Sequence, residues 1–133
     1  MTFLDTSAIY ALADRADPRH EAAGACLRDL LARQEVLLTH NYVLLESMAL
    51  VQARLGHAAA VKLAQSRHAF RIAWVDEIIH AGAEKDLEAS GRRHVSLVDQ
   101  VSFHVMRQHH VTDAFAFDPD FSRHGFRAIP GPA

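Results

Sequence analysis

The chain has 133 residues, half of them hydrophobic and 23% charged, with a formal net charge of −2. This describes a globular domain large enough to bury a core; it excludes a disordered chain and a globally basic nucleic-acid binder, so any polyanion contact must come from local patches. Cys26 is the only cysteine, which excludes an internal disulfide, and no basic start precedes a long apolar run, so neither a signal peptide nor a membrane span is expected and the cytoplasm suits the chain.

No repeat, low-complexity tract or charged tail divides the sequence, and residues 1–133 are expected to form a single domain. "TFLD" (Thr2 to Asp5) reads as a first buried strand, and "SAIYALADR" begins a helix. In "DPRHEAAGACLRDLLARQE", Asp17 can act as N-cap with Pro18 at the first helical position. "VLLT" (Val36 to Thr39) is a second strand, followed by a helix from Asn41 to Leu55 with Gly56 as its C-terminal cap. A further helix over His57 to Ala69 leads to a third strand, "FRIAWV" (Phe70 to Val75), in which Trp74 is expected to be core. "DEIIHAGAEKDLEASG" is a helix closed by Gly91. "SLVDQVSFHVMRQHH" is another, "DAFAFD" is a fourth strand, and "FRAI" adds a fifth. Strands separated by helices imply crossover connections. The expected fold class is therefore α/β, with a central, mostly parallel sheet between layers of helices. The strand order does not follow from the pattern.

Four acids stand at unusual places. Asp5 ends the first strand, although Asp5, Thr6 or Ser7 could simply cap the next helix. Glu46 has Tyr42, Val43, Ala49 and Leu50 as its helical neighbours, a costly setting for a carboxylate unless it is paired or reaches solvent. Asp99 lies three residues after Ser96, the spacing of a capping box. Asp118 ends an apolar run before Pro119, which is also turn chemistry; Asp120 reads as a solvated turn residue. Each has a structural explanation, but in a parallel sheet Asp5 and Asp118 share the carboxyl edge. Helices that follow strands, such as the one carrying Glu46, begin at that same edge, where open α/β sheets bind ligands. Two like charges ~5 Å apart repel by about 3 kcal/mol at an effective dielectric near 20. Such a group must take up protons or bind a cation. An oxygen-only donor set suits Mg²⁺ or Mn²⁺, and such ions suit phosphodiester hydrolysis.

"FLDTSAIYAL", "THNYVLLE", "SLVDQVSF" and "AFAFDPDF" together resemble the successive acidic motifs of PIN-domain ribonucleases, most closely the VapC toxins of bacterial toxin–antitoxin pairs. The resemblance spans nearly the whole chain. It implies a three-layer PIN fold and an endoribonuclease dependent on Mg²⁺, with Mn²⁺ as an alternative. Asp5, Glu46, Asp99 and Asp118 become the metal ligands, with Asp120 as the competitor for the fourth place. Thr6 or Ser7, and Ser96, fall where the family has small hydroxyl residues. Cleavage would leave a 5′-phosphate and a 3′-hydroxyl. A homodimer and an inhibitory VapB-like antitoxin are also implied, with DNA reached only through the antitoxin. The apolar stretch from Ala22 to Leu31 is divided between core packing and antitoxin contact.

Other readings are weaker. His109 and His110 point about 100° apart on a helix, which does not make a one-face zinc pair. "RRH" (Arg92 to His94) is either a solvated loop or positive charge for an RNA backbone. A catalytically silent PIN-like module that binds RNA or protein is the alternative function. An aspartyl-phosphate phosphatase using Asp5 needs a second aspartate two residues on, where this chain has Ser7.

Overall fold

A computed structural model of the chain describes residues 1–91 and 95–131; the basic run Arg92 to His94 lies outside them. Five short strands form one parallel sheet: β1 (Thr2–Leu4), β2 (Leu37–His40), β3 (Arg71–Ala73), β4 (Asp113–Phe115) and β5 (Arg127–Ile129), in the order β3-β2-β1-β4-β5. Phe3 pairs with Leu38 on one side and Ala114 on the other, so β1 is central. The central strands are buried while both edge strands are partly exposed.

Among the described residues seven α-helices accompany them: α1 (Thr6–Ala13), α2 (His20–Ala32), α3 (Asn41–Leu55), α4 (His57–Ser66), α5 (Glu77–Ser90), α6 (Leu97–Gln108) and α7 (Asp120–Arg123). Right-handed crossovers explain their layering. The chain steps outward from β1 to β2 to β3, which places α1 to α4 on one face. It then returns past β1 to β4 and β5, which places α5 to α7 on the other. The packing agrees, with α1 against α2 and α3, α3 against α4, and α5 against α6. The direction reverses between β1 and β4, and their carboxyl ends frame the crevice where such sheets bind ligands.

The core is built on Phe3, Leu4, Leu38, Phe103, Phe115 and Phe121, all fully buried. Phe121 stands edge-on to Phe103 at 5.3 Å between ring centres. Burying one such ring contributes ~2–3 kcal/mol, enough to seat the four-residue α7, which has no periodicity to announce it.

Several expectations are corrected. Asp17 and Pro18 do not start α2: the Asp17 carboxylate accepts from the Arg19 N–H at 2.8 Å and its carbonyl from the His20 N–H at 3.0 Å, closing a turn before the helix. The helix expected over His57 to Ala69 ends at Ser66, whose hydroxyl donates back to the Lys62 carbonyl, and Arg67–Ala69 is a 3₁₀ turn. Trp74 is 62% exposed, because β3 is a three-residue edge strand that ends before it. Only Ala23 and Leu30 of α2 are buried, while Cys26 and Leu27 pack partly and Leu31 is exposed.

Candidate functional site

Asp5 follows β1 directly, and its N–H continues the ladder to the Phe115 carbonyl of β4 at 3.1 Å. It is the N-cap of α1: one carboxylate oxygen accepts from the Ser7 N–H at 3.2 Å and from the Ser7 hydroxyl at 2.6 Å. The Ser7 oxygen in turn accepts from the Phe117 N–H at 2.9 Å. One serine therefore ties the end of β1 to the loop after β4, and Asp5 caps a helix while facing the crevice. Burial pushes its carboxyl up to about 6 and the nearby Asp118 adds to this, although the Ser7 bonds pull the other way.

Asp99 arrives on α6. The capping box is formed: Asp99 accepts from the Ser96 N–H at 3.2 Å, and its own N–H donates to the Ser96 hydroxyl at 3.1 Å. Its side chain is buried among the acids, and burial, then Asp118, then Asp5 raise its carboxyl to about 7. Asp118 lies in the loop after β4, where one oxygen accepts from the Asp120 N–H at 2.9 Å.

Carboxylate oxygens of Asp99, Asp118 and Asp120 lie within 4.8 Å of one another. Asp5 is not in that tight group, although its charge helps raise the Asp99 carboxyl. Asp120 is a correction: it is buried and ion-paired to Arg123 at 3.2 Å, because Phe121 draws the start of α7 into the core. Glu46 is another. It is exposed on α3, makes no hydrogen bond or ion pair among the described residues, and stands outside the tight group. Its apolar neighbours do not form a buried face, since Leu45 is 70% exposed and Ala49 is exposed as well. Thr6 places its hydroxyl in the interior with no hydrogen-bond partner among the described residues.

His40 was not singled out by its sequence. It ends β2, is fully buried, and burial lowers its imidazole to about 3, so it is neutral. Nδ1 accepts from the Val43 N–H at 3.3 Å, and Nε2 lies 2.9 Å from the Ser102 hydroxyl, which donates to the Val98 carbonyl. That sequence of donors assigns the Nε2–H tautomer. His40 thereby joins the start of α3 to α6, the helix of Asp99. A polar residue between an apolar strand and a helix was the available signal.

Carboxylates this close repel one another, and burial together with that repulsion raises the Asp5 and Asp99 carboxyls above their usual range, so the group favours added positive charge. Their all-oxygen donor set fits a hard divalent cation. No described helix is long and apolar enough to cross a membrane.

The family model "PIN domain" matches residues 2–127. The chain is 38% identical over 132 residues to the "23S rRNA-specific endonuclease VapC20" of Mycobacterium tuberculosis, with 95% of each protein covered. The crystal structure of that VapC20, titled a "Sarcin-Ricin loop cleaving toxin", superposes with a TM-score of 0.84 at 37% identity, covering 95% of this chain and 96% of the other. FitAcB from Neisseria gonorrhoeae shares the fold, with a TM-score of 0.68 at 19% identity and 96% of each chain covered.

Proposed function

The chain belongs to the PIN-domain family, with a VapC toxin among its relatives, and from that premise we propose that it is a Mg²⁺- or Mn²⁺-dependent endoribonuclease acting on ribosomal RNA in the cytoplasm. The observation that carries the reading is the group of carboxylates at the crevice between β1 and β4.

Asp5, Asp99 and Asp118 would hold the cation. Ser7 fixes the rotamer of Asp5 and Ser96 that of Asp99, so two of the three carboxylates are oriented before any ligand arrives. Asp118 gives one oxygen to the Asp120 N–H and keeps the other for the site. Asp120, neutralised by Arg123, shapes the loop rather than adding a full negative charge. Glu46, from the exposed face of α3, is the outer acid, reached through solvent. When bound, the cation would acidify water and stabilise charge developing on the scissile phosphate. Water adds to phosphorus, the bond from phosphorus to O3′ breaks, and a proton ends on O3′, leaving a 5′-phosphate and a 3′-hydroxyl. Ser7 stands where an aspartyl-phosphate enzyme needs its second acid, and its hydroxyl donates to one carboxylate oxygen of Asp5.

Two partner surfaces complete the proposal. A cavity of about 480 Å³ between α1, α2 and α4 is walled by Ile9, Leu12, Leu27 and Phe70, with Arg15 and Lys62 also lining it. That combination suits an acidic, amphipathic antitoxin segment. Leu45, Trp74 and Ile78 are exposed on elements drawn together by the Tyr42–His80 and Asn41–Val75 hydrogen bonds, and a second copy of the chain would cover them.

Purified protein incubated with total bacterial ribosomal RNA should cut it in Mg²⁺ or Mn²⁺ and not in EDTA, with 5′-phosphate ends seen by sequencing. Undiminished cutting by Asp5→Asn and Asp99→Asn would sink the assignment.

A further inference from the structure

A second cavity, about 660 Å³, opens beside the carboxylates and takes Asp118 into its wall. Pro18 and Arg19 line it from the turn before α2, Phe117 and Pro119 from the loop after β4, and Pro130 from the chain beyond β5. Among its described lining residues Asp118 is the only acid and Arg19 the only base. The Arg19 guanidinium lies 5.2 Å from the centre of the Phe117 ring, over its face, and its side chain is about half exposed. Phe117 is held from behind: its N–H donates to Ser7, the residue that also orients Asp5, and its ring stands edge-on to Phe115.

We infer that this cavity is a nucleobase subsite, taking one unstacked base of the RNA next to the scissile phosphate against the stacked pair of Arg19 and Phe117. The inference rests on the ribonuclease reading and adds where substrate selectivity is made. The guanidinium lies over the ring, so its outer face is the planar surface on which a base can stack, with Phe117 behind it. The proline walls are apolar and, like the ring, lose little freedom when a ligand enters. Arg19, whose Nε is paired with the Asp17 carboxylate at 3.8 Å, brings its terminal guanidinium nitrogens as positive charge for a phosphate. Because Asp118 belongs to both cavity and carboxylate group, a base lodged here leaves its own phosphate at the acids. A scaffold of one serine therefore sets the cleaving group and the base platform in mutual register.

The test uses a synthetic RNA spanning the strongest cut mapped on ribosomal RNA, made intact and with a single abasic residue at each of the two nucleotides flanking the cut. For wild-type protein in Mg²⁺, one abasic position should lower kcat/KM by about 5- to 150-fold, the range of base–aromatic stacking. Arg19→Ala and Phe117→Leu should lower kcat/KM on the intact RNA by a similar factor, yet lose less than about 3-fold further on that abasic RNA. Both variants should keep the Mn²⁺-induced rise in melting temperature, which reports an intact fold and carboxylate group. Abasic RNAs cut as fast as intact RNA, or an abasic penalty undiminished in both variants, overturn the subsite while leaving the nuclease standing. A wild-type chain that cuts no RNA in either metal overturns both.

Discussion

Replacing Asp99 by asparagine should make the metal-free chain more stable at pH 8 while removing its cleavage activity. In the folded chain the Asp99 carboxyl titrates at about 7, against an ordinary 3.8. The folded state thus holds this proton more tightly than the unfolded state does. Below both values neither form is charged and the site costs nothing. As pH rises from about 4 to 7 the unfolded chain gains by ionising first, and stability falls; above 7 the loss is complete. At 1.36 kcal/mol per tenfold difference in proton affinity, the full loss is about 4 kcal/mol. Part of that value is mutual repulsion with Asp118 and Asp5, which asparagine also relieves, while its amide oxygen can still accept from the Ser96 N–H. The expected gain at pH 8 is therefore on the order of 2–4 kcal/mol, or a melting temperature about 10 °C higher for a domain of this size. At pH 4 the same comparison should give under about 1 kcal/mol, because little charge remains to remove. Thermal unfolding followed by circular dichroism in EDTA, at the two pH values, makes the measurement. Millimolar Mn²⁺ should then close most of that gap by stabilising only the wild type, by ~2.7 kcal/mol when it exceeds the dissociation constant a hundredfold. A variant that is less stable than wild type at pH 8 in EDTA, or equally shifted at both pH values, would refute the reasoning.

Asp5→Asn and Asp118→Asn should each reduce RNA cleavage by at least about 100-fold with the fold retained, since an electrostatic contact at the reacting centre is worth ~3 kcal/mol or more. Glu46→Gln should cost nearer 10-fold, as suits an exposed outer acid; initial rates on mapped RNA separate the two outcomes. His40→Ala should destabilise by about 3 kcal/mol in urea, leaving the Ser102 oxygen and the Val43 N–H without partners in the interior. His40→Gln, which can restore a donor to Ser102, should recover part of that loss and of the Mn²⁺ response. Because His40 titrates at about 3 in the fold against an ordinary 6.5, it withdraws stability as pH falls from about 6.5 to 3. Denaturation curves for His40→Gln should lack that acid arm. Trp74→Glu together with Ile78→Glu should convert a dimer to a monomer in sedimentation velocity; a wild-type monomer at 100 µM would remove that face from consideration.

Periodicity and punctuation located most of the fold. Asn41 to Leu55 with Gly56 behind it became a helix of those bounds, because Gly56 adopts a φ of 96° that few other residues tolerate. Ser96 and Asp99 formed the capping box their spacing promised. Local signals failed where tertiary placement decides. Trp74 lies in an apolar run, but that run belongs to an edge strand, and the sheet order is not written in any local pattern. Glu46 has apolar neighbours along a helix that is apolar nearly all round, so sequence could not tell which side would be buried. Asp120 has turn chemistry on both sides, and only the pull of Phe121 into the core makes it interior. Asp5 stood out because it ends a strand, Asp99 because it opens a helix, and Asp118 because an apolar run stops at it before a proline. How the acids approach one another follows from the fold rather than from local pattern, and the neutral histidine that braces α6 depends on His40 and Ser102, 62 positions apart.

Ser7 and Phe117 are separated by 110 positions, and their hydrogen bond closes the crevice between the central strands. The group that would cut RNA therefore does not exist in any nascent chain that stops short of the loop after β4. A ribosome translating this message is not exposed to a working site on the growing polypeptide: β1 emerges first, but it waits unpaired on that side until residues 113–120 have been made. Topology alone thus imposes a delay between synthesis and action, one that no inhibitor has to provide.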